Sequence, residues 1–167
     1  MRSLRRDAVE VPLFLAMQFT YRLVGTGWAE ATVSDGSSWA RLTASYLEDA
    51  RSSELLQAVG ILLEGAAEAR CSWEEEPGEY RWVFQRTGVD IHLRVLGFAD
   101  VYPEEPDERG MVVFETWQPL SEVATAIADG AQAVLDEYGQ AEYLRRWVDF
   151  PFPTGHLEMI RERLAEG

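Results

Sequence analysis

The 167-residue chain contains no lysine and no asparagine, a single cysteine and only two histidines. Each shortage closes off chemistry. Without lysine there is no phosphate-gripping P-loop lysine, no Schiff base and no Ser-x-x-Lys nucleophile. Cys71 alone forms no intrachain disulfide. Its place in an alternating apolar segment marks it as a small core residue, and a reducing, cytoplasmic setting follows as the simplest expectation. One Cys with the separated His92 and His156 gives no metal-ligand spacing, so neither a metal nor a cofactor is expected. Long hydrophobic runs are also missing. Val11–Met17 is too short to span a bilayer, and Asp7 and Glu10 break up the start as a signal peptide.

What the chain has in excess is negative charge. Twenty-nine Asp and Glu against 15 Lys plus Arg give a formal net charge of −14. Binding nucleic acid or an anionic membrane needs basic patches that release counterions, so neither is an expected partner. A basic protein surface is, because such a field accelerates encounter with it. The Ala/Arg/Glu-rich, lysine-free usage also matches the codon bias of a GC-rich bacterial genome. Hydrophobic content of 47%, with six Trp, six Tyr and seven Phe, requires a packed core. The length suits a single domain, residues 1–167, with 1–16 as an N-terminal extension and 140–167 as a C-terminal helical cap.

Alternation of apolar and polar residues predicts strands at 17–24 and 28–34, turned by Gly25-Thr26-Gly27. Asp35-Gly36-Ser37-Ser38 ends that hairpin. Leu55, Leu56, Val59, Leu62 and Leu63 recur at helical spacing, with Ser45 and Glu48 as a capping box and Gly65 past the helix end. Strands follow at 69–75, 80–87, 89–98 and 111–117, linked as an antiparallel meander. A helix from Leu120 stops at Gly139, a short one covers "AEYLRRWV", and a last helix is capped by Thr154. The expected fold is therefore α+β: one antiparallel sheet of about six strands in the order ββαββββααα, with helices on one face. The other face is expected to meet water and to carry Arg22, Arg70, Glu74, Arg81, His92, Arg94 and Glu115.

The segments "SYLEDA", "LLQAVGILLEG", "EEPGEYRWVFQRTGVDIHLRVLGF" and "MVVFETWQPLSEVATAIADGAQAVLDEYG" resemble a group of uncharacterised actinobacterial proteins across residues 40–165. That group has no assigned activity, so the resemblance implies no site residues. The size, acidity and α+β organisation are also similar in style to bacterial toxin-immunity proteins, a likeness at the level of fold alone.

Two sites stand out. In "SWEEEPGEYRW" (72–82), a turn at Pro77-Gly78 would set Glu74 opposite Arg81 and Glu75 opposite Tyr80. Alternate connections of a meander lie at one end of the sheet, so this turn and the loop "YPEEPDERG" share a pole. Glu75, Glu76, Glu79, Glu104, Glu105, Asp107 and Glu108 would then form an acidic rim able to attract a basic protein. Turn-tip carboxylates are too solvated for general acid work, and the loop lacks the spacing of a calcium site. The bland reading, glutamates solvating a tight turn, competes with the rim throughout. The second site is the open face, where Arg81, Arg94 and His92 would handle a small anionic ligand or substrate; its bland counterpart is a ladder of surface ion pairs. Gly25-Thr26-Gly27 has no third glycine and no following helix, and Asp35–Ser38 lacks a nucleophile-elbow pattern. With no catalytic constellation, the leading expectation is a non-enzymatic acidic protein-binding domain, an immunity-type inhibitor of a basic protein being one form. A small-anion binder or enzyme and a structural homo-oligomer subunit, a homodimer for instance, are the alternatives.

Overall fold

The computed structural model describes residues 16–45, 51–147 and 150–167. Residues 1–15 of the expected N-terminal extension and the Glu48 half of the capping box lie outside them; Ser45, the expected helix cap, is instead the buried last residue of a strand.

The first three strands are β1 (Gln18–Leu23), β2 (Trp28–Ser34) and β3 (Trp39–Ser45). They form an antiparallel sheet of their own in the order β1-β2-β3. Strict alternation builds it. Phe19, Tyr21, Leu23, Ala29, Ala31, Val33, Ala40, Leu42 and Ala44 are buried, while Arg22, Glu30 and Arg41 meet on the opposite face with Glu30 between the two guanidiniums. β3 was not anticipated. Its inward residues are Ala40, Leu42 and Ala44, and alanine is a poor strand former. The alternation against Trp39, Arg41 and Thr43 is nonetheless regular.

Helix α1 (Arg51–Leu63) leads to a second antiparallel sheet of β4 (Glu68–Glu74), β5 (Glu79–Thr87), β6 (Asp90–Phe98) and β7 (Met111–Pro119), in the order β4-β5-β6-β7. The single sheet of about six strands is thus replaced by sheets of three and four. Two layers allow the aromatic side chains to be buried between sheets as well as under helices. Trp82 of β5 meets Phe19 edge-on at 6.1 Å, and Trp73 of β4 meets Tyr21 at 5.9 Å. Trp73 and Trp82 touch each other at 5.1 Å and are fully buried.

α1 ends in a Schellman arrangement. The Ala66 N–H reaches Ile61 O at 3.0 Å, the Gly65 N–H reaches Leu62 O at 3.1 Å, and Gly65 has a φ of 109°. Arg86 adds a donor to Leu62 O at 2.8 Å, a cation where the helix dipole is negative. α2 (Leu120–Arg146) buries Val123, Ala124, Ile127, Ala131 and Val134 and is interrupted at Gly139, whose φ is 71°. α3 (Thr154–Glu166) packs on α1 and α2. Thr154 is not a side-chain cap; it is the first helical residue, and its N–H turns back to Phe152 O. Trp147 and Phe152 are buried, with Tyr143 edge-on to Phe152 at 5.1 Å, so this aromatic run fixes the helix termini to the core.

Candidate functional site: the pole of the four-stranded sheet

The β4–β5 turn and the β6–β7 loop do share one end of the sheet. The Val101 N–H donates to Pro77 O at 2.9 Å. Gly78 lies so close to the β6 end that a Cβ there would come within 2.6 Å of Phe98 O. The turn itself closes with the Glu75 N–H on Gly78 O at 2.8 Å. The register differs from the expected one, however. Glu74 pairs with Glu79, Trp73 with Tyr80 and Ser72 with Arg81, because residues 75–78 form a four-residue connection rather than the tight turn that Glu74–Arg81 pairing needs.

The outer face of this sheet is not open at the pole. Val95 pairs with Phe114 but Leu96 pairs with Val112, so Val113 is an extra residue on β7. Leu96 faces outward by alternation along β6 and lies beside Arg81, its partner on β5. The loop 99–110, with a short 3-10 turn at Asp107–Arg109, closes over that face. Leu96 and Val83 are therefore buried on the side expected to be wet.

Arg81 is the hub of this arrangement. It is 8% exposed and its guanidinium lies 4.2 Å from the Phe98 ring centre. Its Nε donates to Glu79 Oε1 at 2.9 Å, and Nη1 donates to Glu105 O and to Asp107 Oδ1, both at 2.9 Å. Arg70 reaches the other Asp107 oxygen. The Arg81 Nε and Nη1 donors are thus committed to partners within the chain. These ion pairs also use two of the rim residues, since Glu79 is 6% exposed and Asp107 is held by two guanidiniums. Glu105 leans toward Arg109 at 3.6 Å. Burial first, and then the Glu75 carboxylate beside it, push the Tyr80 phenol above its usual pKa. Glu76, Glu104 and Glu108 remain as exposed carboxylates. The seven expected rim residues thus separate into an inner set that locks the loop and an outer set that faces solvent.

Of the other residues of the expected arginine face, Arg22 stands apart, while His92, Arg94 and Glu115 lie together on β6 and β7. Arg22 belongs to the three-stranded sheet, where it binds Glu30. His92 stacks flat on Trp117, 4.1 Å apart and 2° from parallel, and its Nε2 lies 2.6 Å from Glu115 Oε1. Arg94 pairs across strands with Val83 and Glu115. Among the described residues no three His, Cys, Asp or Glu side chains converge to hold a metal ion, and no helix is long and apolar enough to cross a membrane.

Between the outer face of β4–β5 and the loop lies a cleft of about 340 Å³, with Arg70, Ser72, Glu74, Glu79, Arg81 and Glu104 among its lining residues and Tyr102 beside them. Tyr102 is 77% exposed. Of the three residues expected to handle a ligand on this face, only Arg81 lines the cleft, and the sequence did not point to Tyr102. The available cues were the two prolines that stiffen the loop and the apolar Val83 and Leu96 at positions whose alternation reads as solvent-facing.

No protein-family model and no curated protein matches the chain, so the actinobacterial resemblance gains nothing from those comparisons. Among solved structures, the chain is similar to one of a CdiA-CT/CdiI toxin and immunity complex from Enterobacter cloacae. Identity is 12% and the TM-score 0.45, over 72% of this chain and 99% of that one.

Proposed function

We propose that this protein is a binding domain that engages a basic protein surface through the pole formed by the β4–β5 turn and the β6–β7 loop. The observation that carries the reading is the tie between those two connections at Pro77 and Val101, which gathers Glu76, Glu104 and Glu108 on one exposed end of a sheet. The net charge of −14 adds a long-range field of the same sign. A rim of this kind acts mainly on association rate and partner choice. Inhibition of a basic toxin by an immunity-type protein is one form such binding takes; the distant structural likeness is too weak to argue for it.

The test is fluorescence anisotropy with a labelled arginine- and lysine-containing peptide at low and at raised salt. Binding is expected to fall with salt. A triple variant, Glu76→Gln with Glu104→Gln and Glu108→Gln, removes three exposed contacts of about 0.2–1 kcal/mol each, so affinity is expected to drop roughly tenfold. Glu137→Gln with Glu158→Gln and Glu162→Gln removes the same charge from the helices and is expected to leave affinity close to the parent's. Equal losses in both triples would mean that net charge alone is at work and that the pole is no site.

A further inference from the structure

The cleft beside Tyr102 allows the partner's chemistry to be named. We propose that it is a receptor for one arginine side chain of the partner, with the guanidinium held between Glu74 and Glu104 and laid against the Tyr102 ring. This rests on the protein-binding reading above and specifies its central contact.

The first argument is charge within the cavity. Three carboxylates, from Glu74, Glu79 and Glu104, line it against two guanidiniums, from Arg70 and Arg81. Both guanidiniums are already held by carboxylates: Arg81 by Glu79 and Asp107, and Arg70 by Asp107. An incoming anion would meet an electron-rich wall, whereas an incoming cation meets acceptor oxygens. A carboxylate has about four acceptor sites on its two oxygens, so one that already accepts a hydrogen bond can still accept from a guanidinium.

The second argument is size. About 340 Å³ is at the lower end of the volumes of small-molecule sites. It suits one long side chain entering from a partner better than a cofactor.

The third argument is the aromatic ring. Tyr102 is 77% exposed on a loop whose backbone is fixed by the Val101–Pro77 hydrogen bond and by the grip of Arg81 on Glu105 and Asp107. A large ring held in water by a pinned loop is a preformed stacking platform. Tyr102 also lines a second cleft of about 350 Å³, of mixed character, with Phe98 and Met111 beside Asp100, Glu105 and Arg109, where residues flanking the arginine would lie. A planar guanidinium stacks on such a ring while its edge donates to carboxylates; a lysine ammonium is a strongly hydrated point charge and gains less from the face. The same pattern already occurs inside the protein, where Arg81 sits over Phe98 and donates to Glu79 and Asp107.

The experiment uses the full chain and two peptides of equal length and charge, one with arginine and one with lysine as its only cation. Affinities are measured by anisotropy and the location by backbone amide shifts. The arginine peptide is expected to bind several-fold more tightly and to shift Ser72, Val101 and Tyr102. Tyr102→Ala is expected to erase the preference for arginine, and Tyr102→Phe to keep it. Near-UV circular dichroism confirms that these exposed-site variants retain the parent fold. If both peptides bind equally, or if the preference survives in Tyr102→Ala, the arginine receptor is overturned while the acidic-pole reading stands. If neither peptide binds at low salt, both fall.

Discussion

A guanidinium removed from water costs several kcal/mol, recovered only if its donors are matched. Arg81 meets that condition with Glu79, Asp107, the Glu105 carbonyl and the Phe98 face. Truncating it leaves two carboxylates behind, one of them, Glu79, buried. Arg81→Met is therefore expected to destabilise the fold by about 3–5 kcal/mol in urea unfolding, more than any exposed arginine on the helices. Alternation on β5 predicts Arg81 to be solvent-facing, and in a bare sheet it would be. What covers it is a loop reaching back from 24 and 26 residues away in sequence, which local periodicity does not encode. Asp35 is a second residue with a definite role. Burial pushes its carboxyl up, but hydrogen bonds from the Ser38 and Ser37 amides and the Ser37 hydroxyl, with Thr116 adding, outweigh that and hold it at about 2. A carboxyl lowered by folding stabilises the fold above its unfolded pKa of 3.8 and loses that contribution as pH falls toward about 2. Asp35→Asn is expected to be less stable than the parent by about 1 kcal/mol at neutral pH, allowing for solvent screening. The gap is expected to close between pH 3.8 and about 2 when thermal unfolding is followed across that range.

At the scale of elements, two glycines are set by contact and conformation. Gly130 of α2 lies against β1, and a Cβ there would come within 2.4 Å of the Phe19 ring. Gly130→Ala is expected to cost about 1–3 kcal/mol through overpacking, readable as a lowered denaturation midpoint. Gly65 is different: open space surrounds its missing Cβ, but its φ of 109° is one that side chains avoid. Gly65→Ala is expected to cost about 1 kcal/mol from backbone conformation alone. The glycine after α1 and the stop at Gly139 were both legible in the sequence, as were six of the seven strands, because each depends on residues a few positions apart. The assignment of strands to two sheets was not legible. A meander looks the same locally whether it joins the preceding hairpin or stands apart, and the separation depends on which aromatic faces meet across the core. The acidic pole was half legible. Parity of connections places Glu76 and Glu104 together, but it does not reveal that Asp107 and Glu79 turn inward to hold arginines.

For the whole molecule, a net charge of −14 is a large self-repulsion for 167 residues, and it acts on solubility and association more than on fold. Salt screens interactions between exposed charges more than about 8–10 Å apart. Raised ionic strength is thus expected to change the rate at which a cationic peptide arrives, with a much smaller effect on its departure once a side chain is seated. Stopped-flow mixing with the two peptides separates these rates.

Each sheet joins only strands that are neighbours along the chain. Little loop-closure entropy opposes zipping either meander, so the two halves are expected to form early and separately. Bringing Phe19 onto Trp82 and Tyr21 onto Trp73 is then the late event. Refolding followed by tryptophan emission is expected to lag behind refolding followed by far-ultraviolet dichroism, an ordering that a seamless six-stranded sheet would not produce.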